Sequence, residues 1–234
     1  MAARGRSGLI VVIAVLILAG GLFLWIRHKT PGISEREYAT QLLAEFLKTA
    51  AKPKSVLVIG NPFTDLPNHS SQAKEFERAG IAGLKNGFGA TIPVKVAHPA
   101  IKPSVLADPT SVHIDSKSST PLSFVIESSA FDDVLKTNAD CDLAVSLIGL
   151  PVNLSSMEAW NKSGPPRFAL LLPDWRIVGD PAGIQQAFAS GKLVGAVVVK
   201  PGSADGMDFK QRYLIINSNN VAQSIARSPQ LFGL

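Results

Sequence analysis

Asn61, Asp65, Asn153, Asp174 and Trp175 are the residues whose types and positions suit recognition of a small polar molecule. Each follows a short apolar run: Val56 to Ile59 precedes Asn61 and Asp65, Leu143 to Ile148 precedes Asn153, and Phe168 to Leu172 precedes Asp174 and Trp175. If these runs are strands of an open α/β sheet, their carboxyl ends are where loops converge and ligands bind. Amides, carboxylates and an aromatic ring gathered on that rim would hold a ligand by hydrogen bonds and stacking. Prolines and acidic residues also end strands and cap helices. The expectation therefore carries a condition: the strands ending at Gly60, Leu150 and Leu172 must be neighbours with their carboxyl ends on one side.

Other chemistry finds little support. The glycines Gly80, Gly83, Gly87 and Gly89 lie inside and after a helical pattern. A dinucleotide fingerprint belongs instead between a strand and the helix it feeds. No Walker lysine motif and no G-x-S-x-G elbow is present. His28, His69, His98 and His113 are scattered and none has metal-ligand spacing, so no metal and no cofactor is expected. His113 and Asp115 would share a strand face but sit in a proline-rich stretch, and Asp132, Asp133, Asp140 and Asp142 read as helix-start and loop carboxylates. Cys141, the only cysteine, excludes an intrachain disulfide and reads as a small buried residue.

The elements that must position the rim alternate short apolar runs with helical patterns from Ser55 onward, the mark of a parallel sheet covered on both faces. Strands are expected at Val56 to Ile59, Ile92 to Ala97, Leu143 to Ile148, Phe168 to Leu172 and Leu193 to Val199. Tyr213 to Ile216 should add an antiparallel edge. Helices are expected at Ser70 to Lys85, Ser129 to Thr137, Leu154 to Trp160, Pro181 to Ser190 and Asn219 to Arg227. The helical glycines imply close approach of helix to sheet. Residues 98–121 are a proline- and serine-rich excursion, with a hairpin between Val112–Ile114 and Leu122–Ile126 or no regular structure.

Ahead of this domain, residues 9–26 are apolar without interruption. At about 1.5 Å per residue such a run just spans a hydrocarbon core of about 30 Å. A short basic tail, residues 1–8, precedes it, and Arg27, His28 and Lys29 follow. The expectation is an uncleaved signal-anchor with the C-terminal domain outside the cytosol; the rival is a cleaved signal peptide with its cut near Ala19 to Gly21. Residues 27–54 contain a breaker at Thr30 to Ile33 and then an amphipathic helix opened by Ser34. Tyr38, Leu42, Leu43, Phe46 and Leu47 form its apolar face, which packs on its own domain or pairs with another subunit. The chain carries 23 basic and 18 acidic residues. Without Arg4, Arg6, Arg27 and Lys29 the balance is 19 to 18, so the net charge belongs to the membrane flanks and nucleic acid is excluded as a partner.

The fold class expected is α/β: a single N-terminal transmembrane helix, then a three-layer domain over residues 55–234 with a mostly parallel sheet of five to six strands, flavodoxin-like or Rossmann-like. Over residues 55–227 the order of elements resembles a flavodoxin-like sheet, or one lobe of the type I periplasmic solute-binding proteins. That resemblance brings no motif from which a binding residue carries over. The function expected is a membrane-anchored extracytoplasmic domain that binds a small polar ligand or a membrane-protein partner without catalysis. The alternatives are a structural subunit of an envelope assembly, using the helix Ser34 to Ala51, and an enzyme with Asp65 or Asp174 as its acid or base.

Overall fold

The computed structural model describes residues 31–67, 70–203 and 207–233. The apolar run 9–26 lies outside them, and no helix among the described residues is long and apolar enough to cross a membrane. Helix α1 (Pro31–Ala50) leads into β1 (Val56–Ile59), α2 (Ser71–Phe88), β2 (Val94–Ala97), α3 (Pro103–Ala107), α4 (Ser128–Thr137) and β3 (Leu143–Ser146). There follow α5 (Glu158–Asn161), β4 (Arg167–Leu171), α6 (Trp175–Val178), α7 (Pro181–Ala189), β5 (Leu193–Val199), α8 (Phe209–Arg212), β6 (Tyr213–Ile216) and α9 (Val221–Arg227). The strands form one six-stranded sheet in the order β2-β1-β3-β4-β5-β6. Pairing is parallel from β2 to β5, and β6 runs antiparallel to β5 at the edge.

Alternation of side chains divides the sheet into two apolar faces. On one, Leu57, Ala144, Leu170 and Ala196 pack under Phe131 of α4 and Ile184 and Phe188 of α7. On the other, Val58, Val145, Ala169 and Val197 pack under Leu43 and Leu47 of α1 and Leu84 and Phe88 of α2. Burial on both sides is why β1 and β3 are unbroken apolar runs. Helix α1 therefore packs on its own domain as a covering element of the second face.

Several local expectations are corrected. The presumed breaker at Thr30 to Ile33 is not one in its described part, because the chain is helical from Pro31. Proline's missing N–H costs nothing in a first turn, where that group has no intrahelical acceptor. The glycines of α2 serve chiefly an approach between helices. A Cβ on Gly83 would lie 2.1 Å from the Glu37 carbonyl oxygen and 2.2 Å from Thr40 Oγ1, and one on Gly87 would lie 2.6 Å from Ala44 Cβ. Only Gly80 faces the sheet side, 3.0 Å from Leu147 Cδ1 by the same measure.

The hairpin in the excursion is absent. Pro103 and Pro121 each open a helical turn instead, and strand-like pairing there is a single bridge between Ile101 and Ile126. The helix expected over Leu154 to Trp160 is divided into a 3-10 turn, Leu154–Ser156, and α5. Asp132, buried in α4, accepts hydrogen bonds from the amides of Glu158 and Ala159, both at 2.8 Å, and so caps α5 from outside. Strand β3 stops at Ser146, whose hydroxyl donates to the Gly149 carbonyl and accepts from the Ile148 amide, turning the chain out of the ladder.

Replacing Gly83 by Ala should test the helix contact. Intrinsic propensity favours Ala in a helix by about 1 kcal/mol. The blocked Cβ position should reverse that sign and destabilise the domain by about 1 to 3 kcal/mol, the usual cost of overpacking. Urea denaturation measures it, and a gain in stability would mean α1 and α2 do not pack this closely.

Candidate functional site

Strands β1, β3 and β4 are adjacent and parallel, so the loops after them emerge on one rim. The crossover from β1 leads outward to β2, while β3 lies on the other side of β1. This reversal of strand order is the switch point where open α/β sheets bind ligands. A cavity of about 230 Å³ lies there, lined by Arg36 of α1, Asn61 after β1, Glu77 of α2, Thr120 of the excursion, and Leu147 and Leu172 after β3 and β4. Leu172 is held at φ 46°, a left-handed conformation that costs a branched residue energy and that clusters at functional sites.

Arg36 and Asn61 supply the donors in this lining. Arg36 gives Nη2 to the Leu147 carbonyl at 3.1 Å, but its Nε is buried with no partner among the described residues. Burial pulls the Arg36 guanidinium below its ordinary pKa against the opposing charge of Glu77. Asn61 uses its side-chain oxygen to cap the 3-10 turn Pro62–Asp65, accepting from the Phe63 amide at 3.0 Å. Its amide nitrogen is left over. A buried donor without an acceptor, as Arg36 Nε is, costs about 1 to 3 kcal/mol.

The wall behind Asn61 is a row of ionised groups. His98, after β2, places Nδ1 2.6 Å from Asp65 Oδ2 and Nε2 2.9 Å from Glu77 Oε1. Glu77 also accepts from the Asn61 amide at 2.7 Å through Oε1 and from Thr64 Oγ1 at 2.6 Å through Oε2. The hydrogen bond to Glu77 raises the His98 pKa, burial opposes it, and the Glu77 and Asp65 charges add to the rise. Burial pushes Glu77 up, but hydrogen bonds from His98, Thr64 and the Asn61 amide outweigh it, so Glu77 titrates below its ordinary value. Gly60 makes this row possible: a Cβ there would fall 2.2 Å from Glu77 Oε1 and 2.7 Å from His98 Nε2.

Of the residues proposed from sequence, Asn61 lines the cavity and Asp65 anchors His98 behind it. Asp174 N-caps α6 and is gripped by Arg176 and by Ser118 Oγ at 2.7 Å. Burial pushes its carboxyl up, and the Arg176 and Ser118 hydrogen bonds bring it below its ordinary value. Arg176 also reaches Asp115 at 2.7 Å, so Asp174 and Arg176 strap the excursion to the rim. Asn153 donates to Glu127 at 3.4 Å, and its Oδ1 is buried without a partner among the described residues, away from the cavity lining. Trp175 presents no ring to the rim: it is core, 5.2 Å from the Phe232 ring and 6.1 Å from Phe188 between centroids.

Arg36, Glu77 and His98 were missed as site residues. Their signal is a charge inside a buried stripe: Arg36 shares a helical face with Thr40, Leu43 and Leu47, and Glu77 with Gly80, Leu84 and Phe88. A wider hollow of about 660 Å³ lies at the opposite end of the sheet, beside Trp160, Arg167 and Lys192. There the buried Lys192 spends its ammonium on the carbonyls of Ala159 and Gly164, at 2.9 and 3.0 Å.

No protein-family model matches the chain. No curated protein sequence matches it either. Among solved structures it is similar to a carbohydrate transporter from Acidothermus cellulolyticus in complex with myo-inositol, at 12% identity and TM-score 0.49, covering 84% of this chain and 62% of that one. It is similar also to a periplasmic solute-binding protein from Actinobacillus succinogenes with bound D-allose, at 9% identity and TM-score 0.47, covering 81% and 61%. The arabinose-binding protein AraP from Geobacillus stearothermophilus gives 12% identity and TM-score 0.44, covering 80% and 62%. The chain thus spans less than two thirds of each of these proteins.

The His98 row sets a pH dependence. Its folded pKa is raised above an unfolded value near 6.5, so its contribution to stability is complete below about pH 6.5 and is lost as pH rises through the folded value. Denaturant midpoints at about pH 6 and pH 9 should fall more for the wild type than for His98→Gln. Equal falls would show that His98 is not charged in the folded protein.

Proposed function

We propose that this chain is a membrane-anchored, extracytoplasmic α/β domain that binds a small polar ligand at the carboxyl rim of its sheet without turning it over. The observation that carries the reading is the switch-point cavity lined by Arg36, which makes no ion pair among the described residues, and by Asn61, whose side-chain nitrogen makes no hydrogen bond among them. Binding is favoured over acid–base chemistry because the titratable groups beside the cavity are already committed. Both ring nitrogens of His98 face carboxylates, both oxygens of Glu77 accept hydrogen bonds, and Asp174 is gripped by Arg176. A general base needs a free lone pair within reach of its substrate. The anchor is the run 9–26, flanked by basic residues and followed directly by α1.

A thermal-shift screen of the full chain in detergent, against small acids and polyols, tests the site. A true ligand at a hundred times its Kd should add about 2.7 kcal/mol and raise Tm by about 5 to 10 °C. The shift should vanish in Ala73→Phe, which fills the cavity from the first turn of α2. A ligand whose shift survives Ala73→Phe would bind elsewhere.

The topology has its own test. Cys141 is buried, so Ser111→Cys on the exposed excursion supplies a distinct thiol for a membrane-impermeant maleimide. Labelling in intact cells is expected. Labelling only after permeabilisation would put the domain in the cytosol.

A further inference from the structure

We propose that the ligand of the rim cavity is a small organic monocarboxylate with an apolar body, its carboxylate received by Arg36 and Asn61. The inference rests on the rim-binding reading and narrows it to one chemical class.

One cation at the cavity has no carboxylate in contact with it among the described residues. Glu77 spends its charge on His98, which it meets at 2.9 Å with the carboxylate side chain 8% exposed. Asp65, the other partner of His98, has its side chain 65% exposed and is screened by water. Arg36 makes no ion pair among the described residues; its recorded protein acceptor is the neutral Leu147 carbonyl. The Glu77 and Asp65 carboxylates both answer the His98 imidazole, so Arg36 is the cation at this cavity left without an ion pair. A buried charge is kept only when it is paired and hydrogen-bonded.

The free hydrogen-bonding groups have the same polarity. The Arg36 guanidinium and the Asn61 side-chain nitrogen that line the cavity are both donors, and both Glu77 oxygens already accept hydrogen bonds. A ligand here must accept. A carboxylate accepts at two oxygens, and such charge-assisted bonds are about twice as strong as neutral ones.

The remaining lining decides the body of the ligand. Apart from the hydroxyls of Ser119 and Thr120 at one side, it is apolar wall: Phe76, Leu122, Leu147, Ile148, Leu171 and Leu172. A polyol would leave its hydroxyls unsatisfied against them, at a cost for each. The volume of about 230 Å³ equals roughly eight water molecules' share of the liquid, which limits the ligand to a short branched or cyclic acid.

The test is titration calorimetry on the full chain in detergent with 4-methylpentanoate, its amide 4-methylpentanamide, and myo-inositol. The expected result is binding of the acid, loss of binding for the amide, and no heat with myo-inositol. Arg36→Gln should weaken acid binding on the order of 10- to 100-fold, the range for one charged hydrogen bond, and Arg36→Lys should weaken it less. A circular-dichroism melt establishes that each variant is folded. If the Gln variant is not, the acid–amide comparison on the wild type and the Lys variant decides. Equal binding of acid and amide, or an unchanged affinity in Arg36→Gln, overturns the carboxylate. Binding of myo-inositol alone, abolished by Ala73→Phe, overturns it while leaving the rim site in place. No binding of any probe, or acid binding that survives Ala73→Phe, overturns the carboxylate and the rim site together.

Discussion

The covering of one sheet face by α1 is the constraint on which the rest depends. In the series from β1 to β5, the crossover through α2 packs on that face, while α4 and α7 pack on the other. Val145, Ala169 and Val197 would then stand open to water beyond α2, and α1 closes over them with Leu43 and Leu47. The fit is close enough that Gly195 of β5 has no room for a Cβ, which would lie 2.9 Å from the Phe46 ring. Apolar area on this scale, at about 25 cal/mol per Å², cannot stay exposed in a marginally stable domain. The helix that follows the apolar run 9–26 is thus part of the fold, and not a spacer ahead of it.

The same packing builds the site. Because α1 is clamped to α2 at Gly83 and Gly87, its first turns are fixed beside the amino-terminal half of α2. That brings Arg36 to the carboxyl ends of β1 and β3, where a helix entering β1 from the sequence side must begin. Burying Arg36 and Glu77 there costs desolvation energy that apolar residues would not. The row from Asp65 through His98 to Glu77 offsets Glu77's share and fixes the Asn61 amide. Arg36's share is offset only in part, by the Leu147 carbonyl and the Glu77 charge.

Much of the sheet was legible because central strands are buried on both faces and read as apolar runs: Val56 to Ile59, Leu143 to Ser146 and Leu193 to Val199 all emerged as strands. The antiparallel edge was legible too, since Tyr213 follows β5 with no long crossover helix between them. The site was less so, for a physical reason. His98, Asp65 and Glu77 are separated along the chain and meet only through the pairing of Ile59 with Ala97, which local patterns do not encode. Trp175 illustrates the converse error: an aromatic after a strand suggests a rim, but α6 turns it inward onto Phe188 and Phe232. The glycines of α2 indicated close approach correctly, and only the three-dimensional order of α1 over α2 says what approaches.

The two sides of the cavity are held in different ways, and this bears on how a ligand would bind. Arg36, Asn61 and Glu77 stand on packed helices and a strand end, tied by backbone and ionic contacts. The opposite side, Ser119 to Leu122, belongs to the excursion. It is fastened to the rim through Ser118 on Asp174, Asp115 on Arg176, and the buried Ser123 hydroxyl, which lies 3.0 Å from Thr120 Oγ1 and 3.3 Å from the Ile148 carbonyl oxygen. Exposed ion pairs contribute about 1 kcal/mol or less, so the hydrogen bonds of Ser118, Thr120 and Ser123 do more of this fastening than the Asp115–Arg176 pair. Leu172, at the foot of the same wall, stores backbone strain that a rearrangement there would relieve. A donor set fixed by packed helices and a strand end before any ligand arrives lowers the ordering cost of binding one.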